Sequence, residues 1–286
     1  MSKQKTATTE ADSAQTPEVE PVETQDQTTA VTTVEDALPV ALNDMYAEDA
    51  GAGLDDMSAS DLAMPFLAII QKSSPQVDEL NTQKYMPNAK AGMILNTLTG
   101  DLYDGKTGVP VLACGYQKLF TEWTPRDQGG GFQGHHHEDS PVIKNSKVDD
   151  KNKRHTPNGN LLVDTAYYFT LAVPDSGMFQ AMVSMSSTQL KKSRKWNSLM
   201  KGIVLKTKAG KSFTPPMYSH IYLLQTEPES NDQGSWYGWK ITTVKMLDDM
   251  DLLQLAKKFN DQIKSGAVRT GPPPSEEAQA TSDVPF

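Results

Sequence analysis

A long basic stretch with no acidic side chain is the strongest chemical signal in this sequence. Residues 176–226 contain no Asp or Glu, and their eight basic residues are Lys191, Lys192, Arg194, Lys195, Lys201, Lys206, Lys208 and Lys211. A solvated helix face usually mixes both signs of charge, because oppositely charged i,i+4 pairs stabilise it. The uncompensated stretch therefore predicts a surface that binds a polyanion. The alternative is an ordinary solvated helix face followed by a lysine-rich loop.

Aromatic residues accompany these bases. The segments "TAYYF" (165–169) and "SWYGWK" (235–240) place several rings in predicted strands. Because successive side chains of a strand face opposite sides, one face can fill a core while the other presents rings. Exposed rings stack on nucleic-acid bases with little sequence selectivity. The candidates for such stacking are Trp123, Tyr168, Trp236 and Trp239.

Catalytic motifs are not evident. The sequence lacks the G-x-S-x-G and H-E-x-x-H patterns. The stretch "GDLYDGKT" (100–107) fits G-x-x-x-x-G-K-[ST], but the strand predicted at 108–123 follows it in place of the helix that a phosphate loop requires. The glycine-rich "GGGFQG" (129–134) lacks both the lysine and the helix that follow a phosphate loop. The adjacent histidines "HHH" (135–137) cannot all face one ion without distortion. We therefore expect no catalytic activity, no cofactor and no metal.

The net charge of −9 is divided unequally along the chain. Residues 1–61 hold 14 acidic and two basic residues, and residues 270–286 hold three acidic residues and none that is basic. Residues 62–269 hold 25 basic and 19 acidic residues, a net charge of +6. We expect a basic nucleic-acid-binding body over residues 61–268, between a disordered acidic arm at 1–60 and a disordered acidic tail at 269–286.

Apolar runs bounded by turn residues predict the elements that position these side chains. The expected strands span 91–100, 108–123, 161–173, 178–186, 217–227 and 235–247, the last four forming two hairpins. The expected helices span 187–202, with Leu190, Trp196, Leu199 and Met200 at helical spacing, and 248–266. Residues 124–160 are predicted to form a long flexible loop that closes over a ligand.

The fold class expected from this order is mainly β with two helices (α+β). Three strands, a helix and two strands follow one another as in an OB-fold, a five-stranded and partly open barrel. A mixed β-sandwich is the alternative architecture.

The single cysteine, Cys114, lies in an apolar run, which predicts a buried side chain and a reducing compartment. No apolar run is long enough to span a membrane, so we do not expect a membrane to be a partner of this protein.

The last six residues, "TSDVPF", resemble the C-terminal tip of single-stranded DNA-binding proteins of bacteria and their phages. Asp283, Val284, Pro285 and Phe286 match the acid, aliphatic residue, proline and phenylalanine of those tips. The resemblance implies that the tip recruits replication, recombination and repair proteins and competes with DNA for the basic groove. The tail has fewer acidic residues and the body is larger than in the bacterial proteins, which favours a divergent, phage-type member.

The sequence thus predicts a non-catalytic protein that coats and protects single-stranded DNA during phage-type replication, recombination and repair. Phosphate neutralisation and base stacking would supply the affinity. One alternative is a protein that anneals single strands or mediates recombination, and another is a phage structural or scaffolding protein. The expected location is the cytoplasm, that of the host if a phage encodes the chain. Homo-oligomer formation is left open.

Overall fold

The computed structural model describes residues 40–54, 56–57, 62–232 and 234–272. The chain divides into two units, residues 1–50 and 51–286. In the first unit, the described residues form helix α1 (Val40–Glu48). The arm predicted to be disordered over 1–60 therefore contains a helix at its end. Residues 1–39, 55 and 58–60 of that arm and most of the acidic tail lie outside the described residues.

The second unit is mainly β. Its strands are β1 (Leu67–Ile69), β2 (Ile94–Asn96), β3 (Leu102–Tyr103), β4 (Val109–Trp123), β5 (Phe132–His136), β6 (Lys147–Val148), β7 (Arg154–His155), β8 (Leu161–Ala172), β9 (Phe179–Ser186), β10 (Leu205–Lys206), β11 (Ser212–Phe213), β12 (His220–Asn231) and β13 (Gly234–Met246). Its helices are α2 (Pro141–Lys144), α3 (Leu190–Gly202) and α4 (Met250–Lys264). With α1, the described residues form four α-helices, whereas the sequence predicted two. None of the described helices has the length and apolarity needed to cross a membrane.

The main sheet is eight-stranded, antiparallel and curled into a half-barrel. Its strand order is β13-β12-β4-β8-β7-β6, with β5 paired to β4 and β9 paired to β8. The pairs β8–β9 and β12–β13 are the two predicted hairpins, which are thus confirmed. Strand β4 connects the two hairpins. The first residues of β4 pair with β12, and most of the length of β4 pairs with β8.

The sheet has a core on each face, and β8 contributes to both because its side chains alternate. Tyr168 belongs to the core that also contains Trp196 of α3. Tyr167 and Phe169 belong to the opposite core, which contains Phe259 of α4. Helices α3 and α4 therefore pack on opposite faces of the sheet.

Helix α4 confirms the prediction of an amphipathic helix over 248–266. The Asp249 side chain caps it by accepting hydrogen bonds from the backbone N–H groups of Asp251 (2.9 Å) and Leu252 (3.0 Å). Gly266 follows the helix with a φ of +76°, a conformation that glycine adopts at little cost. This cap and this stop explain why the helix begins and ends where its sequence pattern indicates.

Cys114 lies where β4 departs from regular pairing. The register of β4 with β8 shifts between Ala113 and Gly115, and the Cys114 carbonyl accepts a 2.6 Å hydrogen bond from Asn260 of α4. The Cys114 side chain is fully buried, and burial raises the pKa of its thiol to about 12. The prediction of a buried cysteine is confirmed.

Residues 124–160 are not one long loop. Strand β5 pairs with β4, strand β7 pairs with β8, and Ser140 caps the short helix α2. Phe132 packs edge-to-face on Trp123, with their ring centroids 5.7 Å apart. These pairings extend the sheet, and they replace the predicted flexible loop with structured elements.

Candidate nucleic-acid interface

Helix α3 is anchored to the sheet by aromatic packing. Trp196 is fully buried, stacks on Tyr168 with 4.3 Å between ring centroids, and meets Tyr222 edge-to-face at 5.5 Å. The Tyr168 hydroxyl donates to Asn197 Oδ1 (2.8 Å). Leu199, predicted to share the apolar face, is instead 42% exposed. The rest of the predicted helical pattern is confirmed, although the helix proper starts after a 3-10 turn at Ser187–Gln189.

The face of α3 opposite Trp196 is basic. At 100° per residue, four exposed bases lie on this face, namely Lys191, Arg194, Lys195 and Lys201. The short β10–β11 hairpin follows and carries three more exposed bases, Lys206, Lys208 and Lys211. None of these seven forms an ion pair with a residue that the structure describes. We call these seven residues the α3 basic surface.

The eighth predicted base, Lys192, is compensated. Its ammonium contacts the carboxylates of Glu227 and Glu229 on β12, the latter at 2.7 Å. Glu229 also accepts hydrogen bonds from Trp236 Nε1 (3.0 Å) and Gln189 Nε2 (3.3 Å). Burial alone would lower the pKa of Lys192, but its hydrogen bonds to the two glutamates raise it. Lys192 therefore belongs to a polar network that attaches α3 to the sheet.

Replacing Lys192 with methionine is expected to lower the free energy of unfolding by about 1–2 kcal/mol, because two half-buried carboxylates lose their shared partner. The salt dependence of nucleic-acid binding should stay unchanged, since Lys192 is already neutralised. Urea unfolding and a salt titration of oligonucleotide affinity measure the two effects.

Lys195→Met is the matched control, one turn further along the same helix. Lys195 is exposed, so its loss should change the unfolding free energy by less than about 0.5 kcal/mol. It should also reduce the slope of log affinity against log salt by about 0.7, the contribution of one phosphate contact on a single strand. A larger effect of Lys192→Met on this slope would contradict the assignment.

The four rings predicted to stack on bases occupy different environments. Trp123, Tyr168 and Trp239 are 8%, 0% and 3% exposed. These three rings are core residues, and the prediction that they stack on bases does not fit their burial. Trp236 is half-buried, but its neighbour is the Glu229 carboxylate, which repels a phosphate.

Two other rings lie on a more favourable part of the sheet. Tyr116 is 39% exposed, and its ring centroid is 5.1 Å from that of Tyr168, so it faces the α3 side of the sheet. Phe120 is half-buried, with Arg154 Cζ 5.6 Å and Lys118 Nζ 6.0 Å from its ring centroid. We call Tyr116, Lys118, Phe120 and Arg154 the β4 strip.

The sequence contained one signal for the β4 strip that our prediction passed over. In "GYQKLFTEW" (115–123), the aromatic, basic and aromatic residues recur at every second position. Alternation places all three on one strand face. The bulge at Cys114 determines on which face of the sheet these three side chains lie, and no sequence pattern predicted this bulge.

Most of this chain matches one protein family. The model of the family described as "Pam3 phage gp34-like protein" matches residues 6–269. The chain belongs to this family. Comparison with curated proteins found no match, and comparison with solved structures found none. The predicted partner-binding tip, Asp283, Val284, Pro285 and Phe286, lies beyond the family match and outside the described residues.

The histidines of β5 are engaged in hydrogen bonds. His135 Nε2 donates to the Gly271 carbonyl (3.0 Å), and Nδ1 lies 3.3 Å from the Thr121 hydroxyl. His136 Nε2 lies 2.5 Å from Glu122 Oε2. Among the described residues, no group of three or more His, Cys, Asp or Glu side chains is arranged to hold a metal ion. His135 thus fastens the segment after α4 to the sheet.

The stability of the protein is expected to fall on acidification, in part through His135. Burial lowers the pKa of His135 below the ordinary histidine value of 6.5, so the unfolded chain takes up this proton more readily than the folded one. The contribution of neutral His135 is fully present above pH 6.5 and is lost as the pH falls towards the lower folded pKa. Urea midpoints at pH 7.5 and 5.0 should differ less in His135→Gln than in the wild type, and equal differences would contradict this role.

Proposed function

We propose that the protein binds single-stranded DNA without catalysing a reaction. The observation that carries this proposal is the α3 basic surface, in which seven exposed bases share one helix face and its adjoining hairpin without an ion-pair partner among the described residues. Holding so many like charges close together costs stability unless a polyanion neutralises them. Nucleic acid is the polyanion that also suits exposed aromatic rings.

The pairing of the five long strands supports an OB-like barrel as the scaffold of this activity. The first long strand, β4, pairs with the second, β8, and the fourth, β12, while α3 connects the third, β9, to the fourth. This arrangement is the one expected of an OB barrel. Strands β9 and β13 would complete the barrel as neighbours.

Residues before β2 span the gap between β9 and β13. Phe66 forms a parallel bridge with Met182 of β9. The Gln71 side chain both donates to the Tyr237 carbonyl and accepts from its N–H on β13, each at 2.8 Å. We infer that this segment takes the place of the direct closing pair and keeps the barrel partly open, as in folds that bind extended strands.

In this proposal, the protein coats and protects single-stranded DNA during phage replication, recombination and repair. The family takes its name from a phage protein, which agrees with such a setting. The sequence resemblance of the tip supports recruitment of replication and recombination proteins through residues 283–286. Binding through phosphates and stacking is insensitive to base identity, so sequence preference should be low.

The test is a titration of the full-length protein with fluorescein-labelled oligo(dT) and with a duplex of equal length, at two salt concentrations, followed by anisotropy. Tight, salt-sensitive binding of oligo(dT) with weaker binding of the duplex supports the proposal. Absence of binding to both overturns it. Tighter binding of the duplex would show that the α3 basic surface serves double-stranded DNA instead.

A further inference from the structure

The β4 strip places two rings and two cations on a partly exposed area of the sheet. Tyr116, Lys118 and Phe120 alternate along β4, opposite Tyr168, Ala166 and Asp164 of β8 in register. The rings of Tyr116 and Phe120 are four residues apart, which is about 13 Å along a strand. The two rings are therefore far enough apart to contact different bases.

The cations of the strip are held close to Phe120. Lys118 forms a 3.1 Å ion pair with Asp164, and Arg154 donates a 2.8 Å hydrogen bond to Ser146 Oγ. The Arg154 guanidinium lies over the Phe120 ring. A guanidinium plane can itself stack on a base, and its charge attracts the adjoining phosphate.

Helix α3 is linked to this strip through Tyr168. Asn197 of α3 accepts the hydrogen bond from the Tyr168 hydroxyl, and the Tyr168 ring contacts that of Tyr116. Arg194 and Lys201 lie three and four residues from Asn197, so they flank it on the same side of the helix. The other flank of α3 carries Lys192 with its two glutamates. Glu227 and Glu229 together carry one more charge than Lys192 neutralises, so a phosphate is less favourable beside Trp236 than beside the strip.

We propose that the β4 strip is the base-stacking surface of the protein, on which Tyr116 and Phe120 each hold an unpaired base while α3 neutralises the phosphates. This inference rests on the proposed function and deepens it by naming the ligand as a strand with accessible bases. A duplex keeps its bases stacked inside the helix, so it can use α3 but not the strip.

An abasic strand isolates this contribution, because it retains the phosphates and lacks the bases. Wild-type protein should bind oligo(dT) more tightly than an abasic oligonucleotide of equal length, by roughly five- to hundredfold for each stacked base. The double variant Tyr116→Ala/Phe120→Ala should lose this preference and keep the wild-type salt slope, since no charge is removed. Tyr116→Phe/Phe120→Tyr is the matched control, which keeps both rings and should keep the preference.

The outcomes separate this inference from the proposed function. If the folded double alanine variant retains the wild-type preference for oligo(dT), the strip is not the stacking surface. If wild-type protein binds both strands equally, the inference fails while polyanion binding stands. If it binds neither, the proposed function fails as well. Photocrosslinking of a 5-bromouracil oligonucleotide provides a second measurement, with adducts expected at Tyr116 or Phe120, and adducts confined to Trp236 would overturn the assignment.

Discussion

Replacing Lys191, Arg194, Lys195 and Lys201 together with alanine is expected to weaken oligo(dT) binding by about a hundredfold or more at ~0.1 M salt. Each phosphate contact on a single strand contributes about 0.7 to the slope of log affinity against log salt, so four lost contacts lower the slope by about 3. Lys192 is kept because its charge already serves Glu227 and Glu229. All four replaced side chains are exposed, and the fold should be retained.

A matched control removes the same number of charges from the opposite face of the sheet. Lys257, Lys258, Lys264 and Arg269 are exposed on α4 and the segment that follows it. Their joint replacement with alanine should change the affinity by no more than about threefold at ~0.1 M salt, because the Debye length is then about 10 Å. Equal losses from the two quadruple variants would mean that net charge alone, and not the α3 basic surface, governs binding.

Replacing Trp196 with alanine is expected to lower the free energy of unfolding by about 3–5 kcal/mol, as for other large buried aromatic residues. The substitution removes the ring that stacks on Tyr168 and contacts Tyr222, and it leaves a cavity beneath α3. Urea unfolding monitored by circular dichroism measures the loss. Because α3 carries the basic surface, oligonucleotide affinity should fall with it.

Two further variants test the physical reason for this loss. Trp196 Nε1 is buried without a hydrogen-bond partner among the described residues. Trp196→Phe reduces the volume of the ring, which destabilises the fold, but it also removes this unsatisfied donor, which stabilises it. We expect it to cost about 1–2 kcal/mol, well below the cost of alanine. Leu199→Ala on the same helix should cost less than about 0.5 kcal/mol, since Leu199 is 42% exposed. A similar loss for Leu199→Ala and Trp196→Ala would contradict the packing described for α3.

The predictable part of the fold was the part encoded locally. The hairpin of β8 and β9 has its turn residues and its apolar runs within one short segment, and α4 has its cap, its periodicity and its terminal glycine within one segment as well. No comparable pattern in the sequence indicated which strands pair when they lie far apart along the chain. The short strands of 124–160 are too brief for any periodicity, so β5 and β7 were missed, although both pair with long strands.

The candidate site also has a part that the sequence determined and a part that only the tertiary structure decided. The sequence alone determined that one segment carries an excess of basic residues and that α3 has an apolar stripe, because charge and periodicity are properties of neighbouring residues. Only the tertiary structure decided that Lys192 is neutralised by Glu227, 35 residues away, and that Tyr168 is buried while Tyr116 is not. Ion pairing and burial depend on which distant segments fold against each other. For this reason the identity of the free bases and exposed rings became visible only in the folded chain.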